Sequence, residues 1–343
     1  MGQARRGRSP ARTRFAPGSP MTTTARPTSA SDITVVIPTY QREASIARAV
    51  MSALGQAPVA PSVIVVDDGS TDGTAEILRG FGDRIRVLSK ENAGVSLARN
   101  AGIELVNTPW VAFLDSDDAF HQGALAAACT SIGGPRDACL FSAKVLEGGV
   151  PTGEVMTKPT PEECYSVDSL LGPDESYALP AGVFPVEDVR AIDGFDARIN
   201  GSEDYLFLLR LAVRGIQLRI LREPFFDKEE GEGARLSVDE VKVLRNKLAA
   251  LVVFRELEPA ACRSHGAALR AREGRYLARI GRKIPAADPD RGGVPETSRL
   301  PGKLLLQAWR KRPLAVDVGL EGVLAVLAPK WFHRRRRKRA GRA

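Results

Sequence analysis

Residues 63–74 read VIVVDDGSTDGT, four apolar residues followed at once by acids, glycines and hydroxyl side chains. A short uninterrupted apolar run is typical of a strand that is buried on both faces, and the polar residues after it are typical of a turn that leads into a helix. Residues 35–37 and 111–114 show the same pattern, an apolar run that ends in polar residues. Together the three runs predict parallel strands whose carboxyl ends carry polar side chains.

Between these strands the apolar residues have helical spacing. Ile46, Val50 and Leu54 recur every four residues, which places them on one face of a helix. The alternation of buried strands with helices predicts an α/β fold, with a mostly parallel sheet covered on both faces. Ligands bind such sheets at the carboxyl ends of the strands. The other predicted elements of this region are helices at 74–78 and 97–106 and a strand at 85–88.

After residue 135 the pattern is looser. We expect the chain to be helical after Pro224, since residues 237–240 have the form of a capping box that opens a helix. The predicted elements of this half are strands at 139–143, 181–184 and 217–221 and helices at 203–213, 259–281, 301–311 and 314–328.

Composition excludes several classes of protein. The 343 residues are 43% apolar and 26% charged, and no stretch approaches the roughly 20 apolar residues that a membrane-spanning helix needs. The four cysteines form no CxxC pair, which argues against a disulfide scaffold or a zinc ribbon and favours a reducing compartment. Of the net charge of +8, residues 1–31 and 334–343 contribute +13, so the body is acidic and no specific nucleic acid is expected as a partner.

The acids after the run at 111–114 suggest a metal site. Asp115 and Asp117 are two residues apart in an extended segment, so their carboxylates project to the same side, and Asp118 follows them. Two carboxylates held this close repel each other unless a cation lies between them. Hard oxygen ligands with open positions suit Mg²⁺ or Mn²⁺ carrying a phosphate. The alternative is an acidic turn that caps a helix at 121–131.

Other polar residues at the same predicted edge suggest a nucleotide site. Asp67 and Asp68 would accept hydrogen bonds from a base or a ribose, or else would only cap the helix after them. The ring of Tyr40 would stack on a base, or else pack against the protein. Arg99 lies in a helix that starts near this edge and would clamp a diphosphate, the alternative being a surface salt bridge.

Five segments of the chain together resemble the family 2 glycosyltransferases. The resemblance covers about residues 32–224 and implies the GT-A fold and an inverting transfer from a nucleoside diphosphate sugar. The five segments are Ile37-Pro38-Thr39-Tyr40, the run from Val66 to Thr74, Asn92-Ala93-Gly94 with Ala98-Arg99-Asn100, Leu114-Asp115-Ser116-Asp117-Asp118, and Gly201-Ser202-Glu203-Asp204.

The resemblance also implies roles for single residues. It implies that Pro38, Tyr40 and Asp68 hold the nucleoside, that Asp117 with Asp115 holds Mn²⁺ or Mg²⁺ against the diphosphate, and that Asp204 is the catalytic base. Glu203 would orient the acceptor or cap the helix that starts there. The remaining residues expected to bind the donor are Thr39, Glu43, Asp67, Asn92, Gly94, Arg99 and Ser116.

The sequence departs from the family pattern in two places that bear on the predicted reaction. The QxxRW motif of processive members is missing, which predicts a single transfer to a glycan, a lipid-linked or a small-molecule acceptor in cell-envelope or surface-glycan synthesis. The loop after the predicted last strand, residues 227–237, lacks the histidine that many single-transfer relatives carry there. Two other classes compete. A nucleotidyltransferase would need a glycine-rich phosphate loop, which residues 39–45 lack, and a catalytically silent binding protein would not need Asp117 and Asp204.

The predicted organisation has four parts. They are a disordered basic arm at 1–31, a GT-A domain at 32–228, a helical region at 229–333 and a basic tail at 334–343. The apolar segment at 314–332 and the arginines after it would suit an anionic membrane surface, and the alternatives are a helix packed on the domain or incidental RNA binding. We therefore expect a cytoplasmic protein that can be peripheral on the inner face of the plasma membrane.

Overall fold

The computed structural model describes residues 26–58, 60–156, 164–172, 181–199, 201–230 and 240–283. The chain divides into two compact units. The second unit contains residues 240–283 and also residues 167–172, a short segment from within the range predicted for the GT-A domain. The helices predicted at 301–311 and 314–328 and the basic tail lie outside the described residues.

The first unit alternates strands and helices up to residue 131. Its strands are β1 (Ile33–Thr39), β2 (Ser62–Asp67), β3 (Arg86–Ser89), β4 (Trp110–Phe113), β5 (Ala119–Phe120), β6 (Asp137–Glu147), β7 (Val150–Met156), β8 (Cys164–Tyr165), β9 (Gly182–Pro185) and β10 (Gln217–Glu230). Its helices are α1 (Ile46–Leu54), α2 (Thr74–Arg79), α3 (Val95–Glu104), α4 (Ala124–Ser131), α6 (Val186–Ala191) and α7 (Glu203–Val213), with 3₁₀ turns at Ala30–Asp32 and Gly82–Arg84.

The described strands form one sheet in the order β3-β2-β1-β4-β9-β6-β10-β5, with β7 on β6 and β8 on β10. The neighbours β3, β2, β1 and β4 are parallel, as the continuous apolar runs predict, and every residue of β1 is buried. Beyond β4 the pairing changes, because β9 runs antiparallel to both β4 and β6. The predicted parallel arrangement therefore describes the half of the sheet that carries the polar strand ends.

The expectation of a helical chain directly after Pro224 is wrong. Strand β10 continues through Pro224 to Glu230, parallel to β6, with shifts in register on either side of the proline. Pro224 lacks a backbone donor, and an irregularity of this kind is where a strand accommodates one. Residues 237–239 of the predicted capping box lie outside the described residues.

The predicted disordered arm extends a few residues too far. Ser29 caps the 3₁₀ turn at Ala30–Asp32 in a capping box, and Ala30 is buried against the core of the first unit. The local hydrogen bonds between Ser29 and Asp32 give this short segment a fixed shape that a composition rich in Ser, Thr and Pro does not reveal. Residues 1–25 lie outside the described residues.

The second unit is helical where it is described. Arg275, in the last of the described helices, donates to the carbonyl oxygens of Leu171 (2.5 Å) and Gly172 (2.6 Å), and His265 Nδ1 lies 2.8 Å from an Asp168 carboxylate oxygen. Among the described residues, no helix is both long enough and apolar enough to cross a membrane. The helices of this unit are α5 (Val167–Leu170), α8 (Glu240–Leu257), α9 (Pro259–Ser264) and α10 (Gly266–Lys283).

Candidate functional site

The carboxyl ends of β1, β2 and β4 lie side by side. Thr39 at the end of β1 is in register with Asp67 at the end of β2, and the Asp68 N–H donates to the Thr39 carbonyl at 2.9 Å. On the other side of β1, the Leu114 N–H donates to the Val36 carbonyl at 3.2 Å. The three polar segments that follow these strands therefore meet at one edge of the sheet.

The loops after β1 and β2 are fastened to each other. Gln41 has the left-handed φ of 53°, and its amide oxygen accepts hydrogen bonds from the N–H groups of Thr71 (2.8 Å) and Asp72 (3.1 Å). The Glu43 carboxylate accepts from the Gly73 N–H at 2.7 Å, at the start of α2. Glu43, predicted to bind the donor, thus also holds this double loop, and Gln41 does so without having been predicted.

Asp68 fastens a third loop to the same edge. Its buried carboxylate accepts from the N–H groups of Gly94 (2.7 Å) and Ala93 (3.1 Å) and from the ammonium of Lys90. Gly94 has a φ of 94°, a conformation that favours glycine. Asp67 closes a tight turn by accepting from the Ser70 N–H at 3.0 Å. Both acids, predicted to bind the donor, therefore already shape the loops that border the site.

The other residues predicted to hold the nucleoside differ in exposure. Tyr40 is 47% exposed, so its ring is available for stacking, and Asn92 is exposed as well. Pro38 and Thr39 are buried in β1. The Thr39 hydroxyl oxygen is buried and makes no hydrogen bond within the described part of the chain.

The acids after β4 have three different environments. Asp117 is 36% exposed and accepts from an Arg42 guanidinium nitrogen at 3.1 Å. Asp118 is 1% exposed and accepts from the Glu229 N–H of β10 at 3.0 Å. Asp115 accepts from Arg99 at 2.7 Å, and Ser116 between the acids is buried. Each of the three carboxylates thus has a different partner, and that of Asp117 is the most exposed.

Burial and charge set the protonation of the two inner acids. Burial raises the pKa of Asp118 to about 8, and the nearby charges of Asp115 and Asp117 act in the same direction. Burial also opposes ionisation of Asp115, but the positive charges of Arg99 and Lys228 hold its pKa below the usual value. Asp115 is accordingly an anion at neutral pH. Lys228, which lies on β10, was not predicted as part of the site.

The donor set near Asp115 and Asp117 fits a divalent ion that takes most of its ligands from elsewhere. Among the described residues, no group of three or more His, Cys, Asp or Glu side chains is arranged to hold a metal. Mg²⁺ in phosphate-binding sites commonly takes one or two protein carboxylates, and water and phosphate oxygens complete its coordination. One open carboxylate and one ionised neighbour meet this requirement.

The start of α7 reaches the same cluster through Arg99. Glu203 is buried and accepts from Arg99 at 3.1 Å and from the Gly201 N–H at 3.0 Å. Asp204, the next residue, is partly exposed, and one of its oxygens accepts from the Tyr205 N–H at 2.7 Å. The predicted acceptor-side Glu203 therefore faces inwards, whereas Asp204 has exposed surface. The predicted donor, metal and base residues belong to one connected edge.

The second half of β10 borders the acidic cluster. His121 Nε2 lies 2.7 Å from an Asp227 carboxylate oxygen, and its Nδ1 lies 3.0 Å from the Pro224 carbonyl oxygen. His121 thus pairs with β10. Most of the loop that lacks the family's histidine, residues 231–237, lies outside the described residues.

Comparison with known proteins identifies relatives of this chain. Residues 34–160 match the profile of the family described as Glycosyl transferase family 2. The chain is 30% identical over 190 residues to a chondroitin synthase of Pasteurella multocida, which is 53% of this chain and 19% of that one. It is 41% identical over 107 residues to the succinoglycan biosynthesis protein ExoU of Rhizobium meliloti, 30% of each chain. The chain thus spans less than a third of the length of these two relatives.

Solved structures share the fold. The crystal structure of S. aureus TarS 1-349 superposes with a TM-score of 0.61 at 19% sequence identity, over 90% of this chain and 91% of that one. The same protein in complex with UDP-GlcNAc superposes with a TM-score of 0.53 at 18% identity, over 84% and 90% of the two chains. The predicted α/β, GT-A fold is confirmed.

Proposed function

We propose that this chain, which belongs to glycosyltransferase family 2, transfers a single sugar from a nucleoside diphosphate sugar to an acceptor hydroxyl with inversion. The observation that most supports this activity is the connected edge of the sheet. There the strand-end residues Tyr40, Asp68 and Asp117 share one border with Asp204 at the start of α7. A sugar transferase needs these three provisions together: a nucleoside pocket, a site for the diphosphate, and a base beside the acceptor.

The residues of the β1 and β2 ends would hold the nucleoside. The exposed ring of Tyr40 offers a face for a base, and the preceding Thr39 hydroxyl has no hydrogen-bond partner among the described residues. The mutually fastened loops after β1 and β2 keep this pocket in shape before the donor binds, which reduces the entropy lost on binding. Asp68 holds the loop that contains Asn92, so both sides of the pocket depend on it.

The residues of the β4 end would hold the diphosphate. Asp115 and Asp117 would ligate Mn²⁺ or Mg²⁺, and Arg42 and Lys228 bring positive charge to the same cluster. Such an ion, when bound, offsets the negative charge that develops on the leaving diphosphate. The carboxylates fix where that charge is offset, and so they fix the direction in which the sugar–phosphate bond breaks.

Asp204 would act as the general base. In the transfer, the bond between the anomeric carbon and the diphosphate oxygen breaks while a bond from the acceptor oxygen forms on the opposite face. The acceptor proton passes to the Asp204 carboxylate. Its position in the first turn of α7 favours the ionised form, because the helix dipole stabilises a negative charge there. A base of this kind is worth roughly 10²–10⁴ in rate.

The identity of the substrates rests on the relatives. S. aureus TarS was crystallised in complex with UDP-GlcNAc, so UDP-sugars are the first donors to test, before GDP- and dTDP-sugars. The relatives named for chondroitin and succinoglycan favour a growing cell-surface glycan, free or lipid-linked, over a small-molecule acceptor. We also propose that the basic tail at 334–343 holds the enzyme on the cytoplasmic face of an anionic membrane.

The experiment is to measure release of nucleoside diphosphate from a panel of sugar donors, with Mn²⁺ or Mg²⁺ and with a chelator. We expect at least one donor to be turned over slowly without an acceptor, and chelation to stop the turnover. Asp204→Asn should bind UDP as the wild type does and lose turnover by about 10²–10⁴. Asp193→Asn is the control, because Asp193 is exposed, precedes α7 and has a left-handed φ of 57° that asparagine tolerates.

Three results would contradict the proposal. If the wild type binds none of UDP, GDP and dTDP, the chain has no donor site of the proposed kind. Full turnover in the chelator would remove the metal. Near-normal turnover of Asp204→Asn would place the base elsewhere.

A further inference from the structure

Arg99 occupies the centre of the site, and both of its terminal nitrogens are engaged by carboxylates. One nitrogen donates to Asp115 at 2.7 Å and the other to Glu203 at 3.1 Å, while the side chain is 3% exposed. Its guanidinium carbon lies 5.0 Å from the centre of the Phe195 ring. A guanidinium held on both sides and from above has little surface left for a ligand. This burial distinguishes it from Arg42, which is 44% exposed near Asp117.

The two carboxylates that Arg99 joins belong to different parts of the site. Asp115 follows β4, on the side proposed for the diphosphate, and Glu203 is the first residue of α7, next to Asp204. Glu203 is also tied to the Gly201 N–H at 3.0 Å. One connection from Asp115 to the residue next to Asp204 therefore runs through the Arg99 guanidinium to the Glu203 carboxylate.

The residues around Arg99 hold its guanidinium group in one orientation. The Phe195 ring stacks on the ring of Phe207 of α7, with centroids 4.3 Å apart and planes within 7°. Asn100, the neighbour of Arg99 on α3, binds both the N–H and the carbonyl of Phe195 at 2.8 Å. The ring that contacts Arg99 thus belongs to the segment between α6 and α7, and Phe207 of α7 supports that ring. Each contact reinforces the placement of α7 relative to the strand ends.

Charge makes this contact hard to replace. The guanidinium is a planar fork that can satisfy two carboxylates at once, which a lysine ammonium does with less fixed geometry. Without a cation, the half-buried Asp115 and the buried Glu203 would repel each other. Ser202, just before Glu203, has a left-handed φ of 98°, so the chain that leads into α7 depends on its contacts to keep this conformation.

We propose that Arg99 is a positioning residue that, through Glu203, holds Asp204 at a fixed place relative to Asp115, and that it does not bind the diphosphate. The inference rests on the proposed function in one respect, the assignment of Asp204 and Asp115 to opposite sides of the reacting bond. It assigns Glu203 to the same support and leaves Asp204 as the acid that faces the acceptor.

The test compares Arg99→Met and Arg99→Lys with Arg190→Met. Arg190 is the matched control, because it also braces α3, by donating to the Ile103 (3.0 Å) and Val106 (2.7 Å) carbonyls at the far end of that helix. Hydrogen exchange of the amides at 201–206 and the affinity for UDP are measured in the full chain. Neither measurement requires turnover, so the inference can be tested even if the sugar donor is not found.

For Arg99→Met we expect the amides at 201–206 to exchange about tenfold faster or more, and Arg190→Met to leave them unchanged. The UDP dissociation constant should change by less than about threefold in Arg99→Met, whereas loss of a charged phosphate ligand would raise it by about tenfold or more. With a donor that the wild type turns over, kcat should fall about 100-fold with a small change in KM. The kcat of Arg99→Lys should lie between that of Arg99→Met and that of the wild type.

A double variant identifies the pathway. If Arg99 acts through Glu203, then Arg99→Met combined with Glu203→Gln should lower kcat, and speed amide exchange at 201–206, no more than the worse single variant does.

Additive effects of the two substitutions overturn the proposal, as does unchanged exchange at 201–206. A tenfold loss of UDP affinity in Arg99→Met would make it a diphosphate ligand. Should Arg99→Met fail to fold, Arg99→Lys and Glu203→Gln carry the same comparison. If the wild type binds none of UDP, GDP and dTDP, the proposed function is contradicted and the exchange result decides this inference.

Discussion

Asp118 shows how strongly one residue's surroundings change its chemistry. It is the third acid after β4, and it is buried between Asp115, Asp117 and the backbone of β10. With a pKa of about 8 it keeps its proton at neutral pH, unlike the ionised Asp115. The three acids look alike in the sequence, but the inner one serves as a neutral contact to β10.

This protonation predicts a pH-dependent stability. The unfolded chain loses the Asp118 proton near pH 4, whereas the folded chain keeps it up to about pH 8. Between these values the folded state binds more protons, so this residue makes the free energy of unfolding fall as the pH rises from about 4 to about 8. Asp118→Asn keeps the acceptor for the Glu229 N–H and removes the titration.

Thermal unfolding at intervals from pH 5 to pH 9 measures this effect. The variant should lose less stability than the wild type across the range and be the more stable of the two at the upper end. The exposed acid Asp83 provides the control, Asp83→Asn. Parallel curves for the wild type and Asp118→Asn would contradict the expectation.

The sequence predicted which polar strand ends lie next to each other better than it predicted their contacts. Placing Asp68 and Asp117 near one edge required only that apolar runs be read as parallel strands with polar carboxyl ends. Asp204 follows no strand, and it was assigned to the site by the family resemblance. The partners Lys90, Arg42 and Gln41 were missed, because a contact across tens of residues leaves no local pattern. The left-handed φ of Gln41 has no sequence signal comparable to a glycine.

At the scale of elements, the contact of α3 with the sheet depends on a missing side chain. A Cβ on Gly102 would overlap the Val36 side chain and lie 3.3 Å from Val66. The helix that carries Arg99 therefore lies as close to β1 and β2 as glycine allows.

We expect Gly102→Ala to lower the free energy of unfolding by about 1–3 kcal/mol, although alanine favours the helix intrinsically. Overpacking against Val36 has to move α3 or the strand. Urea denaturation measures the change, and the exposed Glu104→Ala on the same helix should remain within about 0.5 kcal/mol of the wild type. A stabilised Gly102→Ala would show that the sheet yields easily there.

Helices and strands were predicted correctly where the local pattern of apolar residues decides them, and wrongly where pairing with distant strands overrides a local signal. Buried β1, β2 and β4 are recognisable as apolar runs, and α7 begins and ends at the predicted residues. Strand β10 was cut short because Pro224 is a strong local break signal. Pairing of Phe226 and Asp227 with β5 on one side and with β6 on the other continues the strand regardless.

At the scale of the whole molecule, the excess of positive over negative charge lies in the two terminal segments, residues 1–31 and 334–343. Juxtamembrane basic residues contribute about 1 kcal/mol each to binding of an anionic surface. We expect deletion of residues 334–343 to reduce sedimentation with vesicles of equal parts phosphatidylglycerol and phosphatidylcholine by about tenfold or more at low salt. Neutral phosphatidylcholine vesicles should bind neither form.

The N-terminal arginines provide a charge-matched control for this deletion. Replacing the six arginines of residues 1–31 by glutamine removes a similar positive charge. Unlike the C-terminal tail, these arginines are not preceded by an apolar segment. The replacement should reduce vesicle binding far less. Equal losses in the two variants would mean that binding depends on overall charge alone, and unchanged binding after the deletion would contradict membrane docking.

The segment at 167–172 has a consequence for anyone who wishes to graft the second unit onto a glycosyltransferase of similar fold. Arg272 and Arg275 of α10 bind the carbonyl groups of Gly172 and Leu171, which are about 100 positions earlier in the chain. A chimera joined at a single junction after β10 would present these two arginines to residues selected for a different helix. A folded hybrid therefore needs two exchanged pieces, with a junction on each side of the segment at 167–175 in addition to the junction after β10.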